Sequence, residues 1–199
     1  MTESTDVSAG TEAARGPSPR AAKQHTLAGV IANVGIGPGM RVLEIGCDGG
    51  YSAALLAAAT GPGGYVVTID QDRAIRDRAS AYLHAMGFSS RVTVLDGDGE
   101  HGAPEHAPFD AIIALNEAWD IPASWIAQLA DGGILVAPAD TRGAVRSLAF
   151  RKSKGHLVSV SYSIASSSHE SGGIATGASG AAKGWRSGLG TIRGNAGHW

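Results

Sequence analysis

The sequence predicts an α/β fold in which helices cover both faces of a mostly parallel sheet. Short apolar runs rich in β-branched residues alternate along the chain with stretches of helical periodicity, and glycine- or proline-containing turns separate them. Consecutive strand–helix–strand units connect by right-handed crossovers, so this alternation favours parallel strands. The chain has 199 residues, of which 43% are hydrophobic and 17% charged, as expected for one globular domain with tails.

The predicted elements follow one another between residues 25 and 164. Apolar residues at helical spacing predict a helix at His25–Val34, and small helix-prone residues predict another at Ser52–Ala59. Asp72 can cap a helix at Arg73–Met86. A fourth helix is expected to open at Ile121-Pro122, to reach Leu129 and to be stopped by Asp131-Gly132-Gly133. The predicted strands are Arg41–Ile45, Tyr65–Ile69, Arg91–Leu95, Phe109–Leu115, Ile134–Ala137, Ala144–Arg151 and His156–Ile164.

The two ends of the chain differ in composition from this central part. Residues 1–23 are mostly small and polar without apolar periodicity, and residues 165–199 are rich in Gly, Ser and Ala. Such segments bury too little apolar area to offset the entropy cost of ordering them. We therefore expect a disordered arm at 1–23, one domain at 24–164 and a low-complexity tail at 165–199.

Charge, hydropathy and cysteine content argue against several classes of function. The formal net charge of −2 gives no indication of a nucleic-acid-binding protein. No apolar run approaches the roughly 18 residues that a membrane span requires, and the first residues lack the pattern of a secretory signal. Cys47 is the single cysteine, so no internal disulfide can form, which agrees with a cytoplasmic protein.

A glycine-rich loop follows the first predicted strand. Residues 46–50 read G-C-D-G-G and lie between the strand and the next helix. Glycine lets a ligand approach the backbone closely, and the first free N–H groups of the helix point towards that ligand. The spacing is not the G-x-G-x-x-G of a dinucleotide site. Glu44, an acid near the end of the strand, suits a cationic ligand better than a pyrophosphate, although a plain structural turn remains an alternative.

Four loops are expected to meet at one edge of the predicted sheet. Glu44–Gly50, Asp70, Asp98–Gly99 and Asn116 each lie at the carboxyl end of a strand. Ligands of open parallel sheets bind beyond these ends. The sequence therefore predicts a binding site at this edge, and the argument depends on no single motif.

Four segments carry more specific patterns. Residues 42–51 resemble V-L-E-I-G-x-x-x-G-Y, residues 97–102 resemble G-D-G-x-x-G, and residues 108–113 resemble P-F-D-A-I-I. Residues 121–138 resemble I-P-x-x-L-x-x-Q-L-x-x-G-G-x-L-V-x-P, with Trp125 in place of the first leucine. Together they resemble the protein-L-isoaspartate O-methyltransferase family. The resemblance implies the Rossmann-like fold of class I methyltransferases and S-adenosyl-L-methionine as cofactor.

The resemblance also implies which residues hold that cofactor. The loop from Glu44 to Tyr51 would line its methionine half, Asp70 would bind the ribose hydroxyls, and Asp98 with Gly99 would hold the adenine edge. The residues alone also allow a strand-end or helix-capping acid at Asp70 and an ordinary Asp-Gly turn at Asp98–Gly99. The predicted cofactor-binding residues are Glu44, Gly46, Cys47, Asp48, Gly49, Gly50, Tyr51, Asp70, Gln71, Asp98, Gly99 and Asn116.

The chain departs from the family pattern at two places. The loop resembles the first motif of class I methyltransferases, E/D-x-G-x-G-x-G, but Asp48 stands at the middle glycine of that motif, and Gly49 could supply the missing flexibility one residue later. The family's T-I-S-x-P segment, whose serine lies at the methyl-transfer site, would fall at about residues 20–24, where Ala22 and Gln24 replace the serine and the proline. The sequence therefore identifies no catalytic residue.

The implied reaction is SN2 transfer of a methyl group from a sulfonium to the carboxylate of an isoaspartyl residue in a protein or peptide. A carboxylate with a pKa near ~4 is already ionised at neutral pH, so no general base is required. Two other functions are considered: a methyltransferase with another acceptor, such as an aspartate in a ribosomal peptide, and a cofactor-binding interaction protein that has lost catalysis. No metal site is predicted, because the Glu-His pairs at 100–101 and 105–106 lack metal-ligand spacing.

Overall fold

The computed structural model describes residues 27–29, 31–32, 34–115, 121–140, 145–164, 186–187 and 190–191. Seven of the strands in these residues form one sheet, in the order β3-β2-β1-β4-β5-β6-β7. A separate antiparallel pair joins Arg186–Ser187 to Gly190–Thr191. The strands of the main sheet are β1 (Arg41–Ile45), β2 (Tyr65–Asp70), β3 (Val92–Asp96), β4 (Phe109–Ala114), β5 (Leu129–Asp140), β6 (Val145–Ser153) and β7 (His156–Ile164).

The sheet is mostly parallel, as the alternating pattern predicts. β1 pairs in parallel with β2 and β4, and the parallel pairing continues outwards to β3 and β5. β6 runs antiparallel to both β5 and β7. Lys154 and Gly155, with φ of 51° and 77°, form the tight turn of the β6–β7 hairpin, as expected for the primed turns that match strand twist.

Helices cover the sheet on both faces. Three helices are described over their whole length: α1 (Tyr51–Thr60), α2 (Arg73–Ala85) and α3 (Ala123–Gln128). α1 and α2 contribute Leu56 and Leu83 to the cluster around Val42, whereas Trp125 of α3 belongs to the opposite cluster around Leu43. Neighbouring residues of β1 are thus buried on opposite faces, which explains why a central parallel strand reads as a continuous apolar run. The described residues of the predicted first helix are helical at 27–29, 31–32 and 34.

The cap predicted for α2 is confirmed. The side chain of Asp72 accepts hydrogen bonds from the backbone N–H groups of Ala74 at 2.8 Å and Ile75 at 3.3 Å. These bonds satisfy two donors that the first turn of a helix leaves free. The cap fixes where α2 begins, with two residues between the end of β2 and the start of the helix.

One predicted boundary is wrong. Residues 131–133 were expected to end a helix, but α3 ends at Gln128 and β5 begins at Leu129. Gly132 takes a φ of 81°, and the pairing with β4 is irregular between Phe109 and Ala111. The Asp-Gly-Gly stretch is therefore an irregularity inside a long strand. Other boundaries differ by about two residues or fewer, apart from the carboxyl end of β5.

The predicted domain limits are not tested by this structure. The arm at 1–23 lies outside the described residues, and so does most of the tail at 165–199. Among the described residues, no helix has the length and apolar character that a membrane span requires.

Candidate functional site

The carboxyl ends of β1 to β4 meet at one edge of the sheet. Ile45 lies beside Ile69 on one side and Ala114 on the other, and Asp70 lies beside Asp96. Backbone hydrogen bonds continue past the strand ends, since Gly46 N–H donates to the Ile69 carbonyl at 2.9 Å. Three of the four predicted loops therefore adjoin one another. The fourth predicted loop, at Asn116, lies outside the described residues.

The glycine-rich loop turns sharply through left-handed backbone conformations. The φ angles are 93° at Gly46, 39° at Asp48, 74° at Gly49 and 90° at Gly50. Asp48 thus takes a conformation that most L-residues avoid, although aspartate tolerates it better than most. Gly49 was expected to take the positive φ in place of residue 48. Both residues adopt positive φ, so the backbone strain at Asp48 remains.

Gly50 and Gly49 differ in what surrounds them. A Cβ at Gly50 would lie 2.9 Å from the backbone Cα and carbonyl oxygen of Ala79 in α2. A Cβ at Gly49 would meet no atom within 4 Å. The loop therefore packs directly on α2 at Gly50 and faces open space at Gly49, where a ligand can approach the backbone.

Glu44 lies buried beneath this loop. Its side chain is 0% exposed, and the Thr68 hydroxyl donates to its Oε2 at 2.6 Å. Oε1 of Glu44 and Oγ of Ser52 have no hydrogen-bond partner among the described residues. A buried acid with one unpaired oxygen leaves negative potential under the loop whenever it is ionised.

Burial raises the pKa of Glu44 from 4.5 to about 8. The Ser52 and Thr68 hydroxyls lower this pKa, Ser52 by proximity and without a hydrogen bond of normal geometry, whereas the nearby carboxylates of Asp48 and Asp70 raise it. The charged form is therefore disfavoured in the absence of a positive neighbour. A cation placed over the loop would favour the ionised carboxylate.

Asp70 ties the loop to the end of β2. Its Oδ2 accepts from the backbone N–H of Cys47 at 3.1 Å, and its Oδ1 accepts from the backbone N–H of Asp72 at 2.9 Å. This is the strand-end role that the residues alone allowed, while the helix cap falls to Asp72. Each carboxylate oxygen has further acceptor capacity, so the position is compatible with binding hydroxyl groups as well.

Asp98 caps the turn that follows β3. Its Oδ1 accepts from the backbone N–H of Glu100 at 3.0 Å, and the short 3-10 turn Gly99–His101 follows. A Cβ at Gly99 would lie 2.5 Å from Cγ2 of Ile45. The Asp-Gly pair therefore forms a capped turn pressed against the end of β1, and its contact with adenine stays a prediction.

The remaining predicted residues have distinct environments. Cys47 is fully buried, and burial raises the pKa of its thiol to about 11, so it contributes its backbone and not a reactive thiolate. Tyr51 is partly exposed and its ring lies 6.5 Å from that of Tyr82. Gln71 is exposed. No group of side chains suited to a metal ion occurs in the described part of the chain.

The comparisons with known proteins agree with this geometry. Residues 16–166 match the family model described as protein-L-isoaspartate(D-aspartate) O-methyltransferase. The chain belongs to this family. Similar members include the protein-L-isoaspartate O-methyltransferases of Hyperthermus butylicus, 39% identical over 125 residues, and Dinoroseobacter shibae, 40% identical over 126 residues. These alignments cover 59% and 63% of this chain but only 52% and 56% of the relatives, so the chain spans about half their length.

Solved structures confirm the class I methyltransferase fold. A protein-L-isoaspartate O-methyltransferase structure is 31% identical with a TM-score of 0.67, and covers 75% of this chain and 47% of that one. A putative family member from Plasmodium falciparum, in complex with S-adenosyl-L-homocysteine, has a TM-score of 0.57 at 17% identity, with 67% and 66% of the two chains covered. At that identity the second likeness shows the fold alone.

Two groups of residues in this family member were not found from the sequence. Arg76 is 15% exposed, and its Nη1 donates to the Asp70 carbonyl at 3.0 Å and to Asp96 Oδ1 at 2.8 Å. It therefore joins the ends of β2 and β3. The second group comes from α3, where Trp125 and Gln128 bond to the turn after β3. Both residues stand in the motif at 121–138, where tryptophan in place of leucine adds a hydrogen-bond donor, but the motif does not indicate which turn they contact.

Proposed function

We propose that this protein is an S-adenosyl-L-methionine-dependent O-methyltransferase that methylates the carboxylate of an L-isoaspartyl residue in a protein or peptide. The observation that carries the proposal is the buried Glu44 beneath an open glycine loop, beside Asp70 at the neighbouring strand end. Membership of the family supports the same reaction.

The residues at this edge suit the proposed cofactor. S-adenosylmethionine is positively charged at its sulfonium and its ammonium, and Glu44, whose ionised form such a cation would favour, would then supply a complementary field from its unpaired oxygen. Gly49 leaves the backbone open to a close approach. The proposed cofactor-binding set is unchanged from the sequence prediction: Glu44, Gly46, Cys47, Asp48, Gly49, Gly50, Tyr51, Asp70, Gln71, Asp98, Gly99 and Asn116.

The chemistry requires mainly alignment. The bound cofactor supplies an activated methyl group on sulfur, and an isoaspartyl carboxylate is ionised at neutral pH without a general base. The loop, held by Asp70 at Cys47 and by Ala79 at Gly50, gives a rigid platform on which to orient the donor. Holding two reactants in line is worth about 7–11 kcal/mol of the barrier. The residues that would hold the acceptor fall in the segment around Ala22, outside the described residues.

Further features support a protein or peptide acceptor in the cytoplasm. The net charge of −2 does not favour nucleic acid. The lone Cys47 is buried, so the chain has no disulfide of its own to maintain. The proposed compartment is therefore the cytoplasm, and the proposed acceptor is a protein or peptide.

A labelled-methyl assay tests the proposed function. The full chain is incubated with methyl-labelled S-adenosylmethionine and an isoaspartyl peptide, and the matched aspartyl peptide is the control. Base-labile label on the isoaspartyl peptide alone would support the proposal. Label on the aspartyl peptide would instead indicate another acceptor, and tight binding of S-adenosylhomocysteine without any transfer would indicate a cofactor-binding protein that has lost catalysis.

Substitution of Asp98 tests the adenine end of the site. We expect Asp98→Ala to raise the dissociation constant for S-adenosylhomocysteine at least about tenfold, or about 1.4 kcal/mol. Asp98→Ser is the control, because serine can also cap the turn, and it separates loss of the carboxylate from loss of the turn. An unchanged constant in calorimetry for Asp98→Ala would remove this residue from the site.

A further inference from the structure

The turn after β3 is held from one side by α3. Three consecutive carbonyls of the turn accept hydrogen bonds from side chains of this helix. The Trp125 indole N–H donates to the Gly99 carbonyl at 2.8 Å, and Gln128 Nε2 donates to the His101 carbonyl at 2.8 Å. The Ser124 hydroxyl donates to the carbonyl of Glu100 between them. Helix and turn are thus joined at three successive peptide units.

Trp125 makes the deepest of these contacts. Its side chain is 3% exposed and belongs to the core cluster that contains Ile45. The Gly99 carbonyl also accepts from Gly102 N–H at 3.1 Å, so the indole is its second donor. A buried indole N–H normally finds such a partner, and here that partner is the backbone of a predicted cofactor residue.

Gly99 is therefore restricted from two directions. Ile45 at the end of β1 leaves no room for a Cβ at this residue, and Trp125 fixes its carbonyl. The carboxylate of Asp98 remains about half exposed, with a side-chain exposure of 54%. The contacts with α3 thus fix the backbone of the turn and leave its acid accessible.

The helix itself is anchored independently of the turn. Lys152 on β6 donates from Nζ to the carbonyls of Ile126 at 2.7 Å and Leu129 at 2.6 Å. These bonds satisfy free carbonyls at the end of α3. The helix can therefore act as a fixed support against which the turn is positioned.

We infer that Trp125 is a positioning residue for the cofactor, which sets the backbone of Gly99 at the adenine end of the site. This inference rests on the proposed function. Leucine or phenylalanine at this position would fill part of the same core volume but would donate no hydrogen bond. The indole N–H therefore adds positional restraint to the turn beyond what apolar packing supplies.

Trp125→Phe tests this role through a measurement that stability alone does not change. We expect the dissociation constant for S-adenosylhomocysteine, measured by calorimetry well below the melting temperature, to rise at least about fivefold. In the methyl-transfer assay, KM for the donor should rise while kcat and KM for the peptide stay close to wild type. Leu135→Ala is the matched control, because Leu135 lies in the same core cluster without a polar contact to the turn; it should lower the melting temperature and leave the constant unchanged.

A second variant covers the case in which Trp125→Phe does not fold. Ser124→Ala removes the donor to Glu100 from a partly exposed position on α3, so folding should tolerate it, and we expect a rise of about threefold in the same constant. Wild-type affinity in every folded variant would overturn the inference while leaving the proposed function intact. Failure of the wild-type chain to bind the probe would overturn the proposed function itself.

Discussion

The buried carboxyl of Glu44 gives the sharpest test of the electrostatics beneath the loop. Its pKa is raised by burial from 4.5 to about 8. Between these values the folded chain keeps a proton that the unfolded chain has released, so the free energy of unfolding falls as the pH rises. This stability is fully present below about pH 4.5 and is lost as the pH passes through about 8. At about 1.4 kcal/mol per pH unit the loss is at most about 5 kcal/mol.

Glu44→Gln removes this titration while preserving the shape of the side chain. The carboxamide oxygen can still accept from the Thr68 hydroxyl, and the amide group can donate to Ser52 Oγ, which has no partner among the described residues. Relaxation and water entry reduce the cost of buried charge in real proteins, so we expect a relative gain of about 2–3 kcal/mol for the variant between pH 5 and pH 8. At pH 5 the two proteins should agree within about 1 kcal/mol.

Urea unfolding at pH 5, 6, 7 and 8, followed by circular dichroism, measures this difference. Glu105→Gln is the matched control, because it makes the same chemical change at an exposed residue and should leave the pH dependence of wild type unchanged. If the unfolding free energies of wild type and Glu44→Gln stay parallel across this range, Glu44 does not titrate there. If wild type instead becomes relatively more stable towards pH 8, the sign of the argument is wrong.

The loop allows two further predictions. Gly50→Ala should destabilise the fold by about 3 kcal/mol or more, because a Cβ there would meet backbone atoms at 2.9 Å. Gly49→Ala has a similar φ but lies in open space, so it should cost about 1 kcal/mol. Equal losses of the free energy of unfolding in urea would show that backbone angle and not packing controls this turn. Asp48→Gly should change stability by less than about 1 kcal/mol at pH 5, where relief of left-handed strain opposes the entropy of glycine. It should become relatively more stable by pH 8, because it removes one of the charges that raise the pKa of Glu44; a difference that does not vary with pH would separate Asp48 from Glu44.

The strands and the mostly parallel character of the sheet could be predicted, because each apolar run has a length and flanking turns typical of a strand and helical stretches lie between most of the first five runs. The prediction was wrong at Asp131–Gly133, where local turn propensity favoured a break. Pairing with β4 on one side and β6 on the other carries β5 through this stretch. Such pairing depends on residues far along the chain, and no local pattern reports it.

The edge of the site could be predicted from strand polarity, but the position of each side chain could not. Glu44 was predicted as part of the loop that lines the cofactor, and in the structure it lies fully buried beneath that loop with Thr68 as its partner. Period-two alternation assigns a residue to a face of the sheet and does not say what covers that face. The contacts of Arg76 and Trp125 join residues up to 26 positions apart, and their geometry emerges only after the strands have assembled.

The contact between Gly50 and Ala79 extends the constraint on the loop to a helix that no ligand-binding pattern includes. The backbone of Ala79 occupies the space where a side chain at position 50 would project, so the contact leaves no room for a larger residue at Gly50. A mutational library confined to residues 44–51 would therefore miss part of what defines the shape of this loop. Substitutions along the buried side of α2, such as a larger residue at Ala79, should alter ligand affinity from a position outside every recognised motif.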